Sequence, residues 1–446
     1  MNDANGSPVR YIRRIFLWKK LLKTAALGLV VVAGLLIALV AIPVLFPATG
    51  AQMADLLRTV FGPGPVADIE SYSFQMQDLF NRTRYQVTGE QPALTFTEPG
   101  RNSEPTIASV ATRAPQLMKT SFPDTSVKIN GSDTYGTTRA VDADKKATPA
   151  AIPPTTIPTV TPSPDVIYGK PYIPQGWQPI GPVVSGQYLM ARGSVKPDPT
   201  RPYAQAAVVR IDLSKVDLHF VLGTNEPVAA KGTQRVKRTG VIPLTDQSPD
   251  RLLVAFNGGF KSIHGNYGVI VNGTTVITPI NGMATLAIYS DGSIDLGAWG
   301  RDINPGDNLV DARQNCPLLI DGGQINPTVN DGSRKEWGYT VKNLDTTWRS
   351  GVGLTQDGKF LIYAAGPALT VATLAHALQM AGSYHAMQLD INGYYTRFAI
   401  YQVNTNVIQG KPPVTALKLL DQMTVPQSQF LNPYDRDFFY VTLHEG

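Results

Sequence analysis

Three dipeptides of one kind recur in the later part of this chain: Asn272-Gly273, Asp291-Gly292 and Asp357-Gly358. Each lies between apolar or alternating runs, as Val269-Ile270-Val271 precedes and Thr275-Val276-Ile277 follows the first of them. Such pairs suit the positive φ angles of type I′ hairpin turns, so three in one region commit it to substantial antiparallel sheet. One strong helix interrupts this pattern between Thr370 and Gly382. Thr370 is placed to cap it, Val371, Leu374, Leu378 and Ala381 form its apolar stripe, and Gly382 ends it. Hairpins with a few packed helices predict an α+β fold with a mixed, largely antiparallel sheet, not a regular βαβ array. No internal repeat of solenoid length is visible.

Two short apolar runs end in polar residues and glycine. Leu252 to Phe256 leads into Asn257-Gly258-Gly259-Phe260, and Ala386 to Leu389 leads into Asp390-Ile391-Asn392-Gly393-Tyr394-Tyr395. Runs of this length bounded by glycine predict buried strands. A carboxylate or amide just past a strand end sits at the rim of a sheet, where a rigid element can hold it against a ligand. The glycines at 258 and 259 are open to two readings, close approach of backbone to a ligand or a turn that needs glycine for its own path.

Upstream the chain is organised differently. Residues 1–23 carry Arg10, Arg13, Arg14, Lys19, Lys20 and Lys23 against Asp3 alone. From Thr24 to Phe46 there is no charged residue in 23 positions, enough for a helix to cross a hydrocarbon core of ~30 Å. The basic flank predicts a cytoplasmic N-terminus, a single-pass anchor in the cell membrane, and an extracytoplasmic remainder. Ala48-Thr49-Gly50 keeps a cleaved signal peptide open as the rival reading, although the apolar run exceeds the usual h-region. Within 47–87, Ile69, Tyr72, Met76, Leu79 and Phe80 are spaced as one face of an amphipathic helix over 66–85, opened by Pro63-Gly64-Pro65. Two heptads are few for a dimerising coiled coil, so weak dimerisation there is the lesser reading. Residues 88–165 read as a tether: Ala147 to Pro164 holds six prolines and five threonines in 18 residues, which gives an extended chain rather than a core. The folded domain is expected over 166–446.

The net charge of +5 is accounted for by the basic N-terminal segment. Nothing resembling the basic stripe of a nucleic-acid binder remains on the folded part. Cys316 is the only cysteine, so no intramolecular disulfide can form, and a small buried apolar role is the expectation for it.

The ordered set of motifs resembles the phosphodiester glycosidase family. Asn257 to Phe260 is similar to its Asn-Gly-Gly-Phe turn, and a hairpin follows at Asn272-Gly273. Then come Trp348-Arg349-Ser350-Gly351-Val352-Gly353-Leu354, the Asp357-Gly358 turn, the helix ending at Gly382, and Leu389-Asp390. Order and spacing match over roughly Leu252 to Tyr401. The chain departs from the family at Lys261, where a second aromatic residue is usual, and in the loop after Asp390, where bulkier groups replace two glycines and the serine and leave Tyr394 and Tyr395 to stack against a sugar face.

The resemblance implies hydrolysis of a sugar joined through its anomeric carbon to a phosphodiester, on envelope or extracellular glycans. A guanidinium suits the phosphate because its planar fork donates two hydrogen bonds, and Arg349 stands in the family's arginine position; a surface or core-edge ion pair is the other reading. Glycoside cleavage uses carboxylates. Asp390 is the first choice and Asp321, in Leu318-Leu319-Ile320-Asp321-Gly322-Gly323, the second, unless Asp321 merely bonds its own turn. Asn257, Gly258, Gly259, His264, Asn392, Gly393, Tyr394 and Tyr395 complete the expected substrate-binding set; His385, within a strand, is expected to pack. No cofactor is indicated, and no metal-ligand spacing such as His-Glu-x-x-His occurs; scattered carboxylates leave no signature for a divalent cation. A noncatalytic glycan-binding or polysaccharide-assembly protein of the same fold is the alternative, and Tyr394, Tyr395, Trp337 and Trp348 would serve either.

Overall fold

The computed structural model describes residues 54–90 except 55 and 59, 94–97, and 176–444 with short breaks at 185, 230–231, 233–235, 307, 332–335, 339–340, 404–412 and 424–427. The expected basic tail, anchor and most of the tether (98–165) lie outside the described residues. Among the described residues no helix is long and apolar enough to cross a membrane.

Antiparallel pairing organises eighteen described strands into three sheets. The first runs in space as β1 (Gln178–Val184), β2 (Gln187–Val195), β3 (Ala206–Asp212), β14 (Phe360–Leu369), β13 (Thr347–Leu354), β15 (His385–Gln388), β11 (Leu318–Asp321) and β12 (Gln324–Ile325). The second orders β7 (Thr274–Ile277), β6 (Val269–Val271), β10 (Leu309–Gln314), β8 (Ala284–Tyr289) and β9 (Ile294–Ala298). The third orders β17 (Val414–Lys418), β16 (Phe398–Val403), β5 (Leu252–Asn257), β18 (Phe438–Leu443) and β4 (Val216–Val221).

Successive side chains of a strand point to opposite faces, and both faces of the first sheet are covered. Ala207 and Val209 enter the larger core with Phe256, Leu286, Tyr363 and Phe398. Ala206 and Val208 enter the other, with Leu319, Ile362, Leu374 and Leu378. This is why Ala206 to Val209 is apolar without alternation. The second of these cores lies under helix α2 (Val371–Met380), which the sequence anticipates closely. Thr370 caps it through a reciprocal bond with Thr373, Val371, Leu374 and Leu378 are fully buried, and Gly382 takes a positive φ of 98°.

All three expected hairpins form, joining β6 to β7, β8 to β9 and β13 to β14. Only the first has positive φ at both turn residues, 49° at Asn272 and 71° at Gly273. At the other two only the glycine is left-handed. Asp291 and Asp357 instead accept hydrogen bonds from the backbone two residues on, at Ser293 and Lys359, so these are aspartate-stabilised turns of another type.

Helix α1 (Pro63–Thr88) covers the expected amphipathic segment, but docks with the face opposite to the apolar one. Ser71 Oγ donates to Asp345 Oδ2 at 2.5 Å, Gln75 Nε2 to Asp345 Oδ1 at 3.3 Å, and Tyr203 Oη to Asp78 Oδ1 at 2.5 Å. Arg201 adds an ion pair to Asp78 at 3.4 Å. The folded unit therefore recruits α1, and beyond it Phe96, which bridges to Leu420 and lies under the Arg192 guanidinium.

Candidate functional site

Antiparallel order decides which residues share a rim. Asn257, at the end of β5, is in register with Phe438 at the start of β18, and β16 begins beside them with Phe398 opposite Phe256. Residues that precede β16 and β18 thus meet residues that follow β5. The first sheet reaches the same place through β13 and β15, since Asn257 Nδ2 donates to Ser350 Oγ at 3.0 Å and Ser350 Oγ donates to the carbonyl of Asp390 at 2.8 Å.

Asp390 stands here with its carboxylate 5 % exposed at residue level. Oδ1 accepts from the backbone N–H groups of Ile391 and Asn392, at 2.8 and 3.0 Å. Oδ2 accepts from Arg436 Nη2 at 2.6 Å, and the same nitrogen donates to the carbonyl of Gly259 at 2.9 Å. Arg436 Nε is buried and has no hydrogen-bond partner among the described residues. The Arg436 guanidinium lies 4.3 Å from the ring centre of Tyr395, and Lys261 Nζ lies 5.0 Å from the same ring. Two cations thus lie within cation–π distance of one half-buried tyrosine. Tyr394 covers Arg397 in the same way at 4.6 Å, and Asn392, Gly393, Tyr394 and Tyr395 are all partly open to solvent. Asn392 Oδ1 accepts from the Tyr394 N–H, and Gly393 has no room for a Cβ, which would fall 2.6 Å from Trp348.

A second buried ion pair supports the first. Arg313 Nε donates to Asp437 Oδ2 at 2.7 Å, and its other nitrogens donate to the carbonyls of Gln314 and Phe260. This pair explains the two glycines after Asn257. A Cβ on Gly258 would lie 2.3 Å from Asp437 Oδ2, and one on Gly259 would lie 2.9 Å from Arg313 Nη2. The glycines make room for a protein ion pair, which accounts for glycine at both positions by the path of the turn. Asn257 is committed within the protein. Its Nδ2 donates to Gly258 O and Ser350 Oγ, and its Oδ1 accepts from Tyr363 Oη and the Arg397 N–H, so all its polar capacity is used in the turn and in joining it to the first sheet through Ser350 and Tyr363. Asn315, fully buried, ties the same turn to Asp390's strand by donating to the carbonyls of Gln388 and Leu389.

Arg349 is not at the surface of this site. It is fully buried, and donates to the carbonyls of Leu369, Lys342 and Asp345 and to Gln388 Oε1. Burial pulls its pKa down to about 10, partly offset by the charge of Asp345, and it remains a cation at neutral pH. With its fork spent on the scaffold, it does not offer the two-pronged phosphate contact expected of it. Asp321 is corrected too: it ends β11 beside His385, while Asp390 lies past the opposite end of β15, so the two carboxylates cannot serve one reacting atom. Asp321 accepts from Arg301 Nη1 and Nη2 at 2.7 and 2.8 Å and lies 3.5 Å from His385 Nδ1. It borders a separate cleft of about 590 Å³ lined by Asn281, Trp299, Arg301 and Asn326 among others. His264 ends the short helical turn Ser262–His264, three residues after Lys261 and half-buried. Cys316 is wholly buried as expected, and burial pushes its thiol up to about 12. Among the described residues no group of three His, Cys, Asp or Glu side chains is placed as metal ligands would be.

Arg313, Arg436 and Asp437 were missing from the expected set, as was Asn315. A signal for two of them exists in Asp435-Arg436-Asp437, which directly precedes the apolar run Phe438 to Leu443. Residues before a strand share a rim with residues after its antiparallel neighbour, so strand starts need the same scrutiny as strand ends.

Residues 250–415 match the model of the phosphodiester glycosidase family. None of the curated proteins matches the chain. Among solved structures, the chain is similar to the catalytic domain of zebrafish N-acetylglucosamine-1-phosphodiester alpha-N-acetylglucosaminidase auto-inhibited by its pro-peptide. The identity is 14%, covering 60% of this chain and 88% of that one, with a TM-score of 0.35. A hypothetical protein from Synechocystis is 13% identical over 60% of this chain and 64% of its own, with a TM-score of 0.31.

Proposed function

We propose, from the phosphodiester glycosidase match over residues 250–415, that this chain hydrolyses a glycosyl phosphodiester at the anomeric carbon. The observation that carries the reading is the buried Asp390–Arg436 pair, 2.6 Å apart, between the Asn257 turn and the open Tyr394–Tyr395 loop. A carboxylate positioned by three donors can face an anomeric carbon as nucleophile or direct a water to it. The leaving phosphate monoester is a good leaving group, so protonation of the departing oxygen is less necessary than with an ordinary glycoside. Arg436, with Nε unspent, and Lys261, 5.0 Å from the Tyr395 ring centre, supply positive charge for the phosphate. Tyr394, with Arg397 over its ring and the residue partly open to solvent, offers aromatic surface to a sugar ring. The charge-free run Thr24–Phe46 and its basic flank support an extracytoplasmic domain held at the membrane, and envelope or extracellular glycans as the substrate pool.

One observation favours a glycan-binding protein without turnover. Both oxygens of Asp390 are already bonded within the protein, and Ile391 and Asn392 occupy positions where the family resemblance calls for glycine. The chain incubated with a panel of sugar-1-phosphodiesters separates the two readings by release of free sugar and phosphate monoester. Hydrolysis requires that Asp390→Asn abolish most turnover while ligand affinity survives. Arg436→Met should lower kcat/KM by about one to two decades, the equivalent of ~1.5–3 kcal/mol for a charge-assisted contact. Saturable binding with no release on any substrate would leave the binding protein as the function.

A further inference from the structure

We infer that the outward face of α1 is a lipid-docking surface, lying in the headgroup region of the bilayer that residues 24–46 enter; the inference rests on that reading of the uncharged run. On the inward side of α1, Val66, Ala67 and Ser71 are buried, and Ser71, Gln75 and Asp78 bond to the domain. The opposite side carries Ile69, Tyr72, Met76, Leu79 and Phe80, all exposed, with Tyr72 at 66% and Phe80 at 67%. Spacings of three and four residues place these side chains on one stripe, and Val87 extends it to the last turn, 79% exposed. A helix of 26 residues makes that stripe ~39 Å long. Leu56, Val60 and Phe61, also exposed, continue the apolar surface toward the N-terminus.

Polar residues are usual on the outside of a docked helix. Here Ser71, Gln75 and Asp78 are turned inward beside Val66 and Ala67, where they meet Asp345, Tyr203 and Arg201, and the large apolar side chains are turned outward. Chain length selects the occupant. Phe46 ends the uncharged run and Leu56 is the tenth residue after it, a span of at most ~35 Å even when fully extended. A run that enters a bilayer therefore keeps the start of this apolar surface near the headgroups. Aromatic side chains such as Phe61, Tyr72 and Phe80 favour that zone, and an apolar helix face settles ~5–10 Å into it. The domain would then be held against the membrane by its docked helix, not suspended from a free tether alone.

The full chain, carrying Cys316→Ala, is inserted into nanodiscs of phosphatidylcholine and phosphatidylglycerol. Spin labels are placed at Met76→Cys on the stripe and at Gln77→Cys beside it, both at exposed positions. Oxygen, which partitions into lipid, should relax the label at 76 more than a water-soluble nickel chelate does, placing it ~5–10 Å below the phosphates; the label at 77 should show the higher nickel access. Tyr72→Glu with Phe80→Glu should bring the label at 76 back into water. Equal nickel access at 76 and 77 overturns the inference. So does dipolar broadening between labels at 76, which would identify a second copy as the occupant, and so does failure of the chain to co-elute with the discs. Hydrolysis is read in a separate assay, so loss of one reading leaves the other standing.

Discussion

Replacing Arg349 with alanine would strip donors from three backbone carbonyls, those of Leu369, Lys342 and Asp345, and from Gln388 Oε1 in one step. Leu369, Asp345 and Gln388 are buried, so Arg349→Ala should lose roughly 3–5 kcal/mol of stability in urea unfolding. Arg349→Lys should recover only part, since an ammonium cannot reach all four. An alanine variant as stable as the parent would show that Arg349 does not hold the scaffold. Asp311 is the reverse case, a carboxylate raised to about 6 by burial, with only the Asn272 N–H opposing. A carboxylate whose pKa rises on folding binds its proton more tightly in the native state. Its favourable contribution is complete below the unfolded value near 3.8 and is lost as pH climbs through about 6. Asp311→Asn keeps an oxygen for Asn272 and should therefore stabilise the protein by roughly 1–3 kcal/mol at pH 7. That gain should vanish below about pH 4, as paired melts at the two pH values would show.

At the scale of elements, a turn and a helix show how packing reassigns what a local pattern suggests. The glycines of the Asn257 turn adjoin Asp437 and Arg313. Gly258→Ala should force that ion pair apart and destabilise by roughly 1–3 kcal/mol, whether or not ligand is present. An alanine variant that kept full stability and lost only ligand affinity would restore the ligand-contact reading. Helix α1 depends on two acidic anchors, Asp78 and Asp345. Asp345 is shared: its side chain receives α1 and its carbonyl receives Arg349. Asp78→Ala breaks only the α1 contact, removing the acceptor of Tyr203 Oη while Arg201 keeps its ion pair with Asp198. Hydrogen exchange should then speed up along α1 while the amides of β13 and β15 stay protected.

For the molecule as a whole, the question is where the folding unit begins. Both apolar cores are built from residues after 176, apart from Leu94 and Phe96 packed against the first. A fragment starting near Pro164 should fold on these cores. It should nevertheless be less stable than a chain starting near residue 54, because it lacks α1, the Phe96 bridge and the bond from Arg192 Nη1 to the Thr97 carbonyl. At about 1 kcal/mol for each lost hydrogen bond, the deficit should be roughly 2–5 kcal/mol in urea unfolding. Equal midpoints for the two fragments would mean that α1 contributes nothing to the fold.

Local physics wrote a good part of this protein into its sequence. Turn chemistry placed the three hairpins, a capping threonine and an apolar stripe placed α2, and short apolar runs ending in polar residues placed Asn257 and Asp390 at a rim. The order of motifs carried the family resemblance as well. These features depend on neighbours a few residues apart, which a single chain displays directly. The partners of the site do not. Asp390 meets Arg436 across 46 positions, and Arg313 meets Asp437 across 124, distances closed only by the order of strands in the sheets. Tertiary packing also decided that Arg349 is scaffold, that Asp321 faces another cleft, and that α1 docks by the side of Ser71 and Asp78. The reason is common to all three: residue type fixes how many hydrogen bonds a side chain can make, but only the folded surroundings fix whether protein or ligand receives them.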